Sequence, residues 1–179
     1  MIVVMGLPGA GKSTVLSATP KDYKIINYGD LMFEIAQKRY MVSDRDQIRK
    51  LDPKKQAVIQ SLVGKKLAKM KGKIILDTHC SIATPKGYLP GLPFRLLSKL
   101  KVELLILITA PFEEIIIRRQ ADASRTRDSQ TVDSLAEHDS VNRALLAAYS
   151  CLTGAPCAII SNRQGKLEEA QQKFLLLLE

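Results

Sequence analysis

Close to the start of the chain, the apolar run Ile2 to Met5 gives way to GLPGAGKST, Gly6 to Thr14. A strand, glycines at 6 and 11, then Lys12 and Ser13 opening a helical pattern make up a loop that wraps a phosphate chain. The glycines permit positive-φ turns that aim successive backbone N–H groups inward, and the helix start adds partial positive charge where β-phosphate oxygens would sit. Lys12 would reach the β- and γ-phosphates, and the Ser13 hydroxyl would ligate Mg²⁺. The expected nucleotide cradle is therefore Gly6, Leu7, Pro8, Gly9, Ala10, Gly11, Lys12, Ser13 and Thr14.

A second group follows in KIILDTH, an apolar run ending in Asp77, Thr78 and His79. An acidic residue at a strand's carboxyl end can hold Mg²⁺ through water or accept from the loop hydroxyl, and ligands collect at such ends in parallel sheets. The alternative for Asp77 is a cap on the next turn. His79 is open between a structural role and a substrate contact. Arginines form the third group: Arg118 and Arg119 just before, and Arg125 and Arg127 within, the irregular stretch ADASRTRDSQT, with Arg143 following in the next helix. Phosphoryl transfer spreads charge over equatorial oxygens, so guanidinium groups on a closing lid would stabilise it and exclude water. The same arginines could instead bind RNA phosphates.

Positioning these groups falls to five short apolar runs: Ile2 to Met5, Lys24 to Tyr28, Lys73 to Asp77, Glu103 to Thr109 and Cys157 to Ser161. They are continuous, as strands covered on both faces are. Helical patterns lie between and after them, at Lys12 to Ser17, Leu31 to Gln37, Pro53 to Met70, Pro111 to Gln120, Val132 to Thr153 and from Lys166 onward. This alternation predicts one α/β domain of the P-loop NTPase type, a doubly wound five-stranded parallel sheet with helices on both faces and a short arginine-bearing lid. In the longest helix Val141, Leu145, Ala148 and Leu152 share a face expected to be the core side, with Asp139 and Arg143 opposite. HCSIATPKGYLPGLP, with prolines at 85, 90 and 93, is expected to resist regular structure.

Composition sets the bounds. The 179 residues suffice for one domain with a real core, and 46% hydrophobic with 25% charged residues is a globular balance. A net charge of +9 suits polyanionic partners such as nucleotides or nucleic acid. Cys80, Cys151 and Cys157 form no CxxC pair and predict buried free thiols in a reducing compartment. A strand beginning at Ile2 leaves no room for a signal peptide, and the apolar runs are too short to span a bilayer, so the expectation is a cytoplasmic protein with no membrane partner.

Over its whole length the chain resembles the archaeal-type adenylate kinases. The resemblance rests on GLPGAGKST, INYGD (26–30), DRDQIRKLDP (44–53), LDTH (76–79), TPKGYLPGLP (84–93), the RR…SRTRD stretch, EH…NR (137–143) and NRQG (162–165). It implies reversible transfer of the ATP γ-phosphoryl group to AMP, giving two ADP, with Mg²⁺ as cofactor at Ser13 and Asp77. By the same resemblance AMP would meet Tyr28, Gly29, Asp30 and Arg49 in an acceptor segment at about 26–53. His79 and the stretch bearing Gly87, Tyr88 and Leu89 would close over it. Arg119, Arg125 and Arg127, in and behind a lid at about 120–132, and Arg143 would contact the moving phosphoryl group beside Lys12. Asn162, Arg163 and Gly165 would lie against the ATP adenine, and similar enzymes are often trimeric. Two departures stand out: Phe33 replaces the AMP-phosphate arginine of bacterial and eukaryotic relatives, which shifts that role to Arg49, and Gln164 stands where relatives often have Asp.

Without the resemblance, the residues give a Mg²⁺-nucleotide phosphotransferase or ATPase with a lid. A kinase for another nucleoside monophosphate such as UMP or CMP differs only in a few pocket contacts. The positive charge motivates an adenylate-kinase-like ATPase acting on ribosome or RNA assembly. Four Phe, five Tyr and no Trp, however, leave no aromatic platform among the basic residues, which makes nucleic acid the weaker partner. His138 and Asp139 receive no role.

Overall fold

The structure, a computed structural model, describes residues 1–44, 47–48, 51–121 and 131–179. Its elements run β1 (Ile2–Gly6), α1 (Lys12–Leu16), β2 (Tyr23–Asn27), α2 (Tyr28–Tyr40), α3 (Pro53–Ala68), β3 (Lys73–Asp77), β4 (Ser81–Thr84), β5 (Gly87–Pro90), α4 (Phe94–Leu97), β6 (Leu104–Thr109), α5 (Phe112–Ala121), α6 (Val132–Thr153), β7 (Cys157–Ser161) and α7 (Leu167–Leu176). Five strands form one sheet in the order β2-β3-β1-β6-β7, all neighbours parallel. The expected α/β sheet is therefore present, each strand within a residue or so of its predicted span.

Central strand β1 is buried throughout. Its residues alternate between two cores: Val3 and Met5 join Leu31, Ile59, Leu97 and Tyr149, while Ile2 and Val4 join Val15, Ile108, Ile115 and Phe174. Two helical layers on a parallel sheet explain why the strand sequence is continuously apolar. The chain leaves β1 toward β2 on one side, and leaves β3 toward β6 on the other. The carboxyl ends of β1 and β3 thus flank the switch point where ligands bind in open α/β sheets.

Three expectations are corrected. The proline-rich stretch after β3 holds an antiparallel hairpin, β4 with β5, registered from Ser81↔Pro90 to Thr84↔Gly87. Pro85 falls in its turn, Pro90 at a strand end and Pro93 at the start of α4, positions where a missing N–H is tolerated. Helix α6 is rotated: its buried side is Leu135, His138, Asp139, Asn142, Leu146 and Tyr149, whereas Ala148 and Leu152 are exposed. Side-chain hydrogen bonds to the hairpin turn that polar stripe inward. Only Cys80 of the three cysteines is buried; Cys151 and Cys157 are exposed.

Candidate active site

The donor loop follows β1 directly. Gly11 takes φ 81 as the residue before α1, and a Cβ there would lie 2.2 Å from Asn162 Nδ2, so both conformation and space require glycine. Asn162 is itself buried and donates through Nδ2 to Ala10 O at 3.0 Å. Arg119 Nε donates to Pro8 O at 2.8 Å. Two distant segments, the residue that follows β7 and the end of α5, therefore hold the cradle from outside. Lys12 Nζ lies 3.4 Å from Gly6 O and 3.8 Å from Asp77 Oδ1, with both side chains nearly buried.

Asp77 is divided between its two oxygens. Oδ2 accepts from Asn27 Nδ2 at 2.9 Å, while buried Oδ1 has no hydrogen-bond partner. An acceptor left open beside the phosphate cradle fits a hard cation or its water, and Mg²⁺ takes few protein carboxylates and keeps several waters. No group of three or more potential metal-ligating side chains occurs among the described residues. His79 Nδ1 donates to Gly6 O at 3.3 Å, which puts this histidine against the donor loop.

Directly after β2, Tyr28, Gly29 and Asp30 form the first turn of α2. Tyr28 is buried in the core, its hydroxyl is without a hydrogen-bond partner, and burial pushes that phenol up from its ordinary pKa. The hairpin is fastened to α6 by a chain of polar contacts. Ser81 Oγ donates to Asn142 Oδ1 at 2.6 Å, so its remaining role toward His138 Nε2, 2.9 Å away, is to accept. His138 therefore carries its proton on Nε2, and its buried Nδ1 has no hydrogen-bond partner. Burial, with Arg119 as a smaller contribution, holds this imidazole below the usual histidine range, against the Ser81 contact and Asp139 and Glu137. Tyr149 OH donates to Cys80 O at 2.9 Å and accepts from Leu92 N–H at 3.3 Å. Burial raises both the Tyr149 hydroxyl and the Cys80 thiol to about 12. The Tyr88 ring packs 4.8 Å from the His138 ring at 43°, and Leu89 beside it is exposed.

Known proteins match this arrangement along the whole chain. A family profile described as an AAA domain matches residues 5–136. The adenylate kinase of Methanocaldococcus jannaschii is 42% identical over 188 aligned positions, covering 100% of this chain and 98% of the relative. That of Methanopyrus kandleri is 44% identical, covering 98% and 95%. This chain belongs to the adenylate kinases. Among solved structures, the shikimate kinase of Acinetobacter baumannii superposes with a TM-score of 0.62 at 19% identity, covering 99% of this chain and 91% of that one, which speaks for the fold alone.

In this adenylate kinase the ends of β1 and β3 bring together Lys12, Asp77, His79 and, through Pro8, Arg119. Asn162, Arg163 and Gly165 line a cavity of about 260 Å³ with Gly11, Thr14 and Arg118. Arg143 is drawn to Asp139, Nε to Oδ2 at 2.6 Å, with its side chain half exposed. Arg49, Arg125 and Arg127 lie outside the described residues, as does most of the expected lid. Sequence reasoning missed Arg118 as a lining residue. Its Nη2 donates to Glu114 Oε2 at 2.7 Å and Asn162 O at 3.1 Å, and its buried Nη1 has no hydrogen-bond partner. The Glu114 to Arg118 spacing of four on one helix was the available signal. Glu114 Oε2 also accepts from Gln164 N–H at 2.7 Å, so Gln164 is anchored through its backbone, whatever its side chain.

Proposed function

We propose that this adenylate kinase transfers the γ-phosphoryl group of ATP to AMP, giving two ADP, with the donor on the Gly6 to Thr14 cradle and the acceptor between α2 and the β4–β5 hairpin. The observation that carries this assignment is the pairing of Lys12 with Asp77 at the switch point, beside a separate hairpin wall on the acceptor side. Lys12 stabilises charge on the β- and γ-oxygens. Ser13 and Asp77 hold Mg²⁺, which when bound neutralises phosphate charge. The purine of ATP lies in the cavity beside Arg118, whose planar guanidinium suits an aromatic face. Tyr28, Gly29, Asp30, Arg49, Gly87, Tyr88 and Leu89 bind AMP, with His79 bridging toward the donor loop.

Arg119 orients the loop through Pro8, and Arg125 and Arg127, on a lid at about 120–132, meet the phosphoryl group with Arg143. For Arg143 this requires release from Asp139, which its half exposure favours. The proposal includes a cytoplasmic location; no helix among the described residues is long and apolar enough to cross a membrane. It also includes self-association as a trimer, for which exposed Leu152 and Ile159 offer apolar surface. A coupled assay with ATP and each of AMP, CMP and UMP tests the acceptor. AMP is expected to be preferred by orders of magnitude; an AMP rate no better than the pyrimidine rates, or ATP hydrolysis independent of any monophosphate, would overturn it.

A further inference from the structure

We propose that Asn27 is a positioning residue that joins the acceptor helix to the metal carboxylate, so that acceptor and metal binding are coupled through one amide. The inference rests on the assignment of Asp77 to Mg²⁺ made above. Asn27 ends β2 and lies in register with Asp77 on β3. Its two amide ends do different work: Oδ1 accepts from Asp30 N–H at 3.0 Å, closing the first turn of α2, and Nδ2 donates to Asp77 Oδ2 at 2.9 Å. A backbone N–H can only donate and an ionised carboxylate only accept, so the amide has a single orientation that satisfies both.

Two consequences follow for the site. With Oδ2 tied to Asn27, the Asp77 carboxylate cannot rotate freely, and Oδ1 stays buried, without a hydrogen-bond partner, 3.8 Å from Lys12 Nζ. Orienting a ligand through its other atom is how outer partners tune metal sites, commonly by 10–100-fold in affinity. Tyr28, Gly29 and Asp30 follow Asn27 without a break, so a group that settles on the start of α2 moves the same amide that aims Asp77. Coupling of this kind is reciprocal: AMP alters metal affinity by the factor by which metal alters AMP affinity.

Asn27→Ser and Asn27→Ala separate this role from simple helix capping. Serine keeps a cap oxygen for Asp30 N–H but cannot donate to Asp77; alanine removes both contacts. The probe is Mn²⁺ binding to the enzyme with ADP, read by the electron paramagnetic resonance of the ion, with and without AMP, alongside calorimetric AMP binding in the absence of metal. In N27S the Mn²⁺ affinity is expected to fall about tenfold or more, the effect of AMP on it to disappear, and metal-free AMP binding and the melting temperature to stay near wild type. N27A should add a loss of stability and of AMP binding. A cap alone predicts N27S equal to wild type in every readout, and that result overturns the proposal, provided Asp77→Asn loses Mn²⁺ affinity. If Asp77→Asn also leaves the affinity unchanged, the assignment of Asp77 fails and the proposal with it.

Discussion

The two sides of the active site are built in opposite ways. The proposed donor cradle is one uninterrupted run, Gly6 to Thr14, whose backbone N–H groups would supply most of the phosphate contacts. Outside help comes from single side chains, Asn162, Arg119, His79 and Gln171 among them, each holding one loop carbonyl. The proposed acceptor wall is a two-stranded hairpin, a unit with little stability of its own. It is held by a buried polar stripe on α6, some sixty residues further along the chain. A contiguous loop concentrates chemistry in a few residues, so damage there should appear in turnover. An assembled wall distributes its hold over several hydrogen bonds, so damage should appear first in stability and acceptor affinity.

The largest contrast comes from Lys12→Ala. With the cradle intact but the ammonium gone, kcat should fall by roughly 10²–10³, the usual loss for one preorganised charge-stabilising group. The melting temperature should change little. A turnover within tenfold of wild type in the coupled assay would break the comparison on the donor side.

Gly91→Ala is the counterpart on the acceptor wall. Gly91 N–H donates to Cys80 O at 2.8 Å, and a Cβ on Gly91 would lie 1.9 Å from His79 O and 2.8 Å from His79 C, both backbone atoms. Neither can swing aside as a side-chain tip would, so β3's end or the hairpin must move. A cost of about 3 kcal/mol or more is expected, a fall of roughly 6–12 °C in Tm for a chain of this size. Tyr149→Phe is gentler: it leaves Cys80 O and Leu92 N–H without the shared hydroxyl. Loss of about 1–3 kcal/mol is expected, with the KM for AMP rising more than the KM for ATP. Equal changes in both would show that the hairpin does not serve the acceptor alone.

This difference in construction also governs what could be read from the sequence. The donor loop was legible because its geometry is local: residue types at fixed spacing force the turns. The inner strands β3, β1 and β6 were legible because burial on both faces writes itself as continuous apolar runs. The edge strands β2 and β7 carry apolar runs although Ile25 and Ile159 are exposed, so coverage of both faces does not extend to them. The hairpin was obscured by its prolines, whose positions become permissible only once a turn and strand ends are defined. Helix α6 misled for a different reason. Val141, Leu145, Ala148 and Leu152 have the periodicity of a core face, yet the inward face is chosen by Ser81, Cys80 and Leu92, which want His138, Asn142 and Tyr149. Hydropathy cannot show that a buried face is polar when its partners lie in a distant hairpin. Arg118 was hidden in the same way, by contacts to Asn162 that only the fold creates.

The smallest expected effect concerns His138 and acid. Its folded pKa is lowered, chiefly by burial, and the groups around it are Arg119, which lowers it further, and Asp139 and Glu137, which oppose. The unfolded chain therefore takes up a proton at about pH 6.5, before the folded protein does. Its contribution to stability is complete above that pH and is lost as pH falls through 6.5 toward the lower folded value. Protonation would place a charge on buried Nδ1, which has no hydrogen-bond partner, and would loosen the wall from inside. His138→Gln keeps a donor for Ser81 but does not titrate. Melting temperatures at pH 7.5 and 5.5 should fall less for H138Q than for wild type, and the KM for AMP should lose part of its acid sensitivity while the KM for ATP follows wild type. Parallel curves for the two proteins would mean that the acceptor wall owes its hold on α6 to Asn142 and Tyr149, with His138 a passive filler of the interface.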